Sequence, residues 1–256
     1  MHWSHKVNAE WLEARRAFLT ASDIQRLLPT TPTGRPRADM AGAIRNVWAK
    51  KQCGIMDDAI ESSGVMARGH ILEPYAIEAL NKSGLFGPHI HHWDDCLICS
   101  LDGIACSPDG LDIKQPASCP VSLTEAEAYT VVEVKCYNPE AHYEVGLSMN
   151  PGLLIERWQL ATAFYVMPTI TRGELVLFNP SAKHPLFKHE YTRADLTDEL
   201  SIIKDIGQGY FHAAEALDAE AEFLCTQMTK DACPREREIV QEILDSLAVD
   251  AGCLNP

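Results

Sequence analysis

No apolar run in the 256 residues approaches the roughly 18 that a membrane-spanning helix needs. The opening stretch, MHWSHKVNAEWLEARR, lacks the apolar core of a secretion leader. Internal repeats and low-complexity tracts are missing too. Cysteine is not scarce, at nine residues, but the count is odd and scattered along a long chain, which excludes a simple disulfide framework. These absences predict a soluble, cytoplasmic protein with reduced thiols and no membrane partner. Positive charge is in short supply: 22 Lys and Arg stand against 36 Asp and Glu, for a net charge of −14. At first that argues against a nucleic-acid partner.

The distribution of charge softens the objection. Residues 190–256 carry 15 acidic and 5 basic side chains, whereas residues 1–189 carry 21 and 17. Residues 15–51 are basic, with Arg15, Arg16, Arg26, Arg35, Arg37, Arg45, Lys50 and Lys51 against Asp23 and Asp39. A basic groove on an acidic protein remains compatible with phosphate binding. With 46% hydrophobic residues the chain can build one large core. The expectation is a single domain over residues 1–256, with an acidic helical C-terminal extension from about residue 195.

The front reads as helical. NAEWLEARRAF is amphipathic, TASDIQRLL opens with good N-cap types, and ADMAGAIRNVWAKK spaces Met40, Ile44, Val47 and Trp48 at helical intervals. PTTPTGRPR is a loop between them. VMARGHILEPYAIEALNK predicts a helix over 65–82, bent or bounded at Pro74 and closed by Ser83-Gly84. HIHHW, LICSLD and IACS read as short strands. GLDI and TVVEVKCY read as two arms of a hairpin, joined by the long excursion KQPASCPVSLTEAEAY, whose extra residues are expected to extend the turn outward. Helices follow near 138–147 and 151–166, then the strand pair GELVLFNP and PLFKHEYTR, then two tail helices separated near Cys233-Pro234. The order predicts an α/β (α+β) fold, a mixed sheet flanked by helices.

Asp109, in CSPDG, and Glu133 and Lys135, in VVEVKC, form the sharpest constellation. Two residues apart on a strand, Glu133 and Lys135 project from one face. Carboxylates at the ends of adjacent strands can hold a hard divalent cation, which prefers oxygen ligands. A lysine beside them can orient a water or neutralise a phosphate. The competing reading is a solvated hairpin face with one cross-strand ion pair. The context RRAFLTASDI, GHILEPYA, SPDG, EVK and RWQL resembles, in order, the motifs of the lambda exonuclease branch (YqaJ-type viral recombinases) of the PD-(D/E)XK nucleases. The resemblance covers roughly residues 14–165.

The resemblance implies a restriction-endonuclease-like core and specific roles. Asp109, Glu133, Glu73 and the backbone carbonyl of Val134 would hold Mg²⁺, with Mn²⁺ as a substitute and two ions in all. Lys135 would act on the attacking water or the scissile phosphate, and Gln159 would hold the site's geometry or the substrate. Arg16 and Ser22 resemble the residues that grip the phosphate of a DNA end, and Arg35, Arg37 and Arg45 would add contacts to DNA. For Ser22 a helix N-cap is the plainer role, and both can hold. The implied activity is an exonuclease on linear duplex DNA, 5′ to 3′, leaving 3′ single strands for recombination by annealing. The implied assembly is a homotrimer ring, with a single-strand annealing protein as partner. In a ring the acidic tail would face outward while residues 15–51 line the channel. The rivals are an endonuclease, a helicase-associated nuclease and a catalytically idle DNA-binding module. Against the second, Ala163 stands four residues after Gln159 where such nucleases carry tyrosine.

Two further clusters carry less. His89, His91, His92, Cys96 and Cys99 contain a C-x-x-C but no second pair downstream, so strand histidines and buried cysteines explain them better than zinc. Cys225, Cys233 and Cys253 lack the tight spacing of an iron–sulfur site.

Overall fold

The structure is a computed structural model, and it describes residues 15–30, 37–52, 64–84, 89–92, 97–113, 121–123, 128–148 and 154–231. The chain divides into two compact units, residues 1–210 and 211–256. The first holds both sheets, and the mixed α/β architecture is the one the pattern predicted.

Its strands form two sheets. One has four strands in the order β1 (Leu19–Thr20), β4 (Ile104–Cys106), β3 (Leu97–Leu101) and β6 (Val121–Leu123). The other has five, in the order β2 (His91–His92), β5 (Gly110–Leu111), β7 (Thr130–Lys135), β8 (Arg172–Phe178) and β9 (Leu186–Thr192). The strands expected in the sequence are present, but they do not join into one sheet. The chain leaves the first sheet at Cys106 and enters the second at Gly110, so Ser107, Pro108 and Asp109 form the seam.

GLDI and TVVEVKCY are indeed antiparallel arms, with Gly110 opposite Val132 and Leu111 opposite Val131. The excursion between them does more than extend a turn. Val121–Leu123 crosses to the other sheet and pairs in parallel with Leu97–Cys99. A turn that only reached outward would leave the β3 edge unpaired, and an added strand satisfies it.

Helices cover both faces of the five-stranded sheet. α3 (Gly64–Ser83) lays Ala76, Ile77 and Leu80 on Val132, Val134, Val176 and Phe178, with Leu72, Ala79 and Cys136 packed around them. Pro74 lies inside this helix and makes neither boundary nor end. It falls on the exposed side, while the apolar side stays fastened to the sheet, which offsets the lost hydrogen bond. On the opposite face are α4 (Pro139–Gly146) and α5 (Arg157–Val166). Phe164 lies so close over Gly173 that a β-carbon there would collide with its ring, and Phe187 fills the same space over Gly146. α5 starts later than the pattern over 151–166 suggests; residues 154–156 form a turn, and 151–153 lie outside the described residues.

At the front, α1 (Ala21–Arg26) is capped by Thr20, not Ser22. The Thr20 hydroxyl accepts from Asp23 N–H, and the Asp23 carboxylate accepts from Thr20 N–H at 3.0 Å, a reciprocal pair that Ser22 is two residues too late to make. α2 (Met40–Gln52) follows, and Lys51 reaches back to Asp23 at 3.0 Å. α6 spans Thr197–Asp231, after a 3-10 turn at Ala194–Leu196. The second tail helix expected beyond Pro234 lies outside the described residues.

Candidate active site

The seam between the sheets brings the predicted carboxylates together. Asp109 follows Pro108 at the crossing, and its Oδ2 accepts the Val134 N–H at 2.7 Å. That bond places the Asp109 carboxylate against the last turn of pleat in β7, next to Glu133. The Lys135 ammonium donates to Glu133 Oε1 at 2.5 Å, on the face that looks toward α5. Glu133 is buried and Lys135 keeps about a quarter of its side chain exposed. The excursion between the arms does not separate them.

The electrostatics identify a third carboxylate. Burial pushes Asp109 well above the usual carboxylate range, and the negative charges of Glu133 and then Glu73 push it further. Glu73, on α3, thus lies near enough for its charge to act on Asp109. Its Oε1 lies 3.5 Å from His70 Nδ1, one helical turn earlier. Burial alone would depress the Lys135 ammonium; Glu133, Asp109 and Glu73 reverse this and hold it above its ordinary value. At neutral pH Lys135 is thus a cation that donates hydrogen bonds, not a base.

Three carboxylates around one ammonium leave an excess of negative charge in a partly dry pocket. All the donors on offer are hard oxygens, the set that magnesium and manganese take. Asp109, Glu133, Glu73 and the Val134 carbonyl therefore fit a hard divalent ion chemically. As they stand, Asp109 is engaged by Val134 N–H and Glu133 by Lys135, and among the described residues no three His, Cys, Asp or Glu side chains are yet gathered into one coordination sphere.

The second layer ties strand to helix. Tyr137, two residues past Lys135, donates its hydroxyl to the Glu156 carboxylate at the start of α5, and the Tyr137 carbonyl accepts from Asn179 at 3.0 Å. Gln159 lies in the first turn of α5, half-buried, with its backbone N–H bonded to the Glu156 carbonyl. The expected placement of Gln159 on a helix facing the sheet is what the structure has.

The basic residues spread out. Arg16 donates to the Lys51 carbonyl at 3.2 Å and to the Gln52 carbonyl at 3.5 Å, closing the end of α2. Ser22 sits half-buried in the first turn of α1. Arg37 donates to the Leu28 carbonyl at 2.9 Å and lines a cleft of about 410 Å³ with Arg26, Asn46 and Lys50. Arg45 is exposed on α2, and Arg35 lies outside the described residues. His89 and His91 stack edge-on at 4.7 Å in a separate cleft beside Glu78 and Lys82, and Cys96 lies outside the described residues. Cys99 and Cys106 face each other across β3 and β4 as free thiols.

Two residues of this pocket escaped the sequence reading, His70 and Arg68. Their only signal was a place on the helix that carries Glu73, His70 three residues before it and Arg68 five, which any side chain of that helix shares.

Residues 10–152 match the YqaJ-like viral recombinase domain. Among curated proteins no match is found. Among solved structures, the chain is similar to the alkaline exonuclease LHK-Exo from Laribacter hongkongensis, with 17% identity and a TM-score of 0.58 over 84% of this chain and 98% of that one. The structure of LHK-Exo in complex with dAMP gives 19% identity and a TM-score of 0.59 over the same shares. At such identity the likeness speaks for the fold.

Proposed function

Because the chain belongs to the YqaJ-like viral recombinase domain family, we propose that it is a metal-dependent deoxyribonuclease that digests linear duplex DNA from its ends. The observation that carries the proposal is the convergence of Asp109 on β7, through the 2.7 Å bond to Val134 N–H, beside the Glu133–Lys135 pair. A solvated hairpin face would not bury Glu133 or collect a third carboxylate from α3. The fold shared with an alkaline exonuclease, one solved with dAMP, supports the same reaction class.

In this reading Asp109, Glu133, Glu73 and the Val134 carbonyl hold Mg²⁺, or Mn²⁺ in its place, as a pair of ions. Bound there, the cation would supply Lewis-acid stabilisation of the phosphoryl group and would ease deprotonation of the attacking water. Lys135, held charged by its neighbours, donates to a phosphate oxygen or to the attacking water and so fixes the direction of attack. Asp109 is held in place by Val134 N–H, so its carboxylate is oriented before substrate arrives. Gln159 takes a place at the substrate edge of α5, whose start is tethered to the exit of β7 by Tyr137 and Glu156. Arg16, Arg35, Arg37 and Arg45, with the Ser22 hydroxyl, would contact DNA phosphates, against the acidity of the rest of the chain. The finer reading is digestion 5′ to 3′ in a homotrimer ring, handing 3′ single strands to an annealing protein.

The test uses linear duplex labelled separately at each 5′ and 3′ end, with nicked and closed circles beside it. Wild type with Mg²⁺ releases 5′ label and spares the closed circle, and Lys135→Ala releases none. Cleavage of the closed circle removes the end-dependent reading. Inertness of both proteins with Mg²⁺ and with Mn²⁺ removes the nuclease reading.

A further inference from the structure

Arg68 precedes Leu72 by four residues on α3, so the two share a helix face. Leu72 packs on the apolar cluster that joins α3 to β7 and β8, and so does Cys136. One turn earlier than Leu72, Arg68 is carried past the edge of that cluster toward the end of β7. Its charge reaches the Cys136 thiol there, alongside the charges of Glu73, Asp109 and Lys135. Cys136 directly follows Lys135 in the chain. Arg68 thus lies on the α3 side, near enough to the residue after Lys135 for its charge to act there, while Lys135 projects from the face that looks toward α5.

Among the described residues the guanidinium has no partner of its own. Arg68 is half-buried, yet among the described residues no hydrogen bond or ion pair holds it. The other half-buried arginines of this unit behave differently. Arg157 is paired with Glu199, and Arg172 with Glu174 and Glu190. Arg193 donates to the carbonyls of Phe164, Met167, Pro168 and Ile170 at the end of α5. A guanidinium withdrawn from water without such partners is costly. Its planar fork of donors matches a phosphate oxygen pair. The carboxylates of the pocket also repel a phosphodiester, which a fixed cation at its rim offsets.

Resting on the nuclease reading, we propose that Arg68 grips a phosphate of the DNA strand being cut, from the α3 side of the pocket. It is a substrate-contacting residue of the site, additional to Lys135 and to the basic residues of 15–51.

Two measurements test this. Steady-state digestion of end-labelled duplex compares wild type, Lys135→Ala, Arg68→Ala, Arg68→Gln and Arg68→Lys, with a melting curve for each. Arg68→Ala and Arg68→Gln are expected to lower kcat/KM by about 10²-fold at unchanged melting temperature, with Arg68→Lys recovering only part because an ammonium cannot fork. The second measures binding of the same duplex without cleavage, in the Lys135→Ala background, across a salt series. Adding Arg68→Gln is expected to reduce the salt slope by about 1. Arg68→Gln that digests like wild type, or an unchanged slope, overturns the proposal. Should Arg68→Ala fail to fold, Arg68→Gln, which keeps the length of the stem, decides. If wild type digests and Lys135→Ala does not, the nuclease reading stands and only Arg68 is judged. If wild type is inert, that reading has failed, and the binding slope still tells whether Arg68 meets phosphate.

Discussion

Two clusters of charge sit on the same five-stranded sheet and do opposite things. On β8 and β9, Arg172, Glu174, Lys188 and Glu190 interlock: Arg172 reaches Glu174 at 2.7 Å and Glu190 at 2.9 Å, and Lys188 reaches Glu190 at 3.5 Å and Glu174 at 3.8 Å. Two cations answer two anions. At the end of β7, the charges of Glu133, Asp109 and Glu73 act on one ammonium, and the Arg68 guanidinium has no partner among the described residues. Balanced charge closes upon itself and holds strands together. Unbalanced charge leaves something for another molecule to complete, and that asymmetry supports the proposal that the second cluster is the functional one.

The comparison breaks most sharply at Asp109. Asp109→Asn keeps an oxygen for Val134 N–H and removes one of three crowded negative charges. Digestion of linear duplex is expected to fall by about 10³-fold or more, measured in single-turnover release, while the melting temperature holds or rises. Loss of fold with loss of activity would place Asp109 among the structural charges.

The mirror experiment is Arg172→Ala. It leaves Glu174, which has no exposed surface, with Lys188 alone at 3.8 Å, and is expected to cost about 2 kcal/mol in urea unfolding. Activity per folded molecule should not change, because the pair lies on the α3 face at the far end of β8. A fall in kcat at full folding would couple the two clusters.

The smallest effect is in pH. Burial raises Glu174 from 4.5 to about 7, against the pull of Lys188 and Arg172. A carboxyl raised on folding contributes stability that is fully present below its unfolded value of 4.5 and is lost as pH rises through about 7. Wild type should therefore lose unfolding free energy between pH 5 and 8 relative to Glu174→Gln, in which this slope is absent. Parallel profiles for the two proteins would contradict the assignment.

Much of the fold was legible because its signals are local. The apolar runs of β7, β8 and β9 and the helical spacing of α2 and α3 follow from neighbours in sequence. Ser22 misled because both it and Thr20 are good caps, and only the reciprocal bond with Asp23 chooses between them. Pro74 suggested a break because propensity counts the lost bond and not the apolar face holding the helix to the sheet. β6 was missed because its partner strand, Leu97–Leu101, is some twenty residues away and belongs to the other sheet.

The sequence by itself determined the chemistry on offer: hard oxygen donors and a lysine at PD and E-x-K spacing, in the motif order of one family. Spacing along a strand decides which side chains share a face, so Glu133 and Lys135 could be paired without coordinates. Tertiary structure alone decided that Asp109 stands at a seam between two sheets, that Glu73, 60 residues ahead of Glu133, acts on Asp109 from a helix, and that Arg68 has no partner among the described residues. Those facts depend on how a helix docks across a sheet. Docking is governed by the burial of Ala76, Ile77 and Leu80 on Val132, Val134 and Val176, which fixes where the polar residues of α3 come to rest.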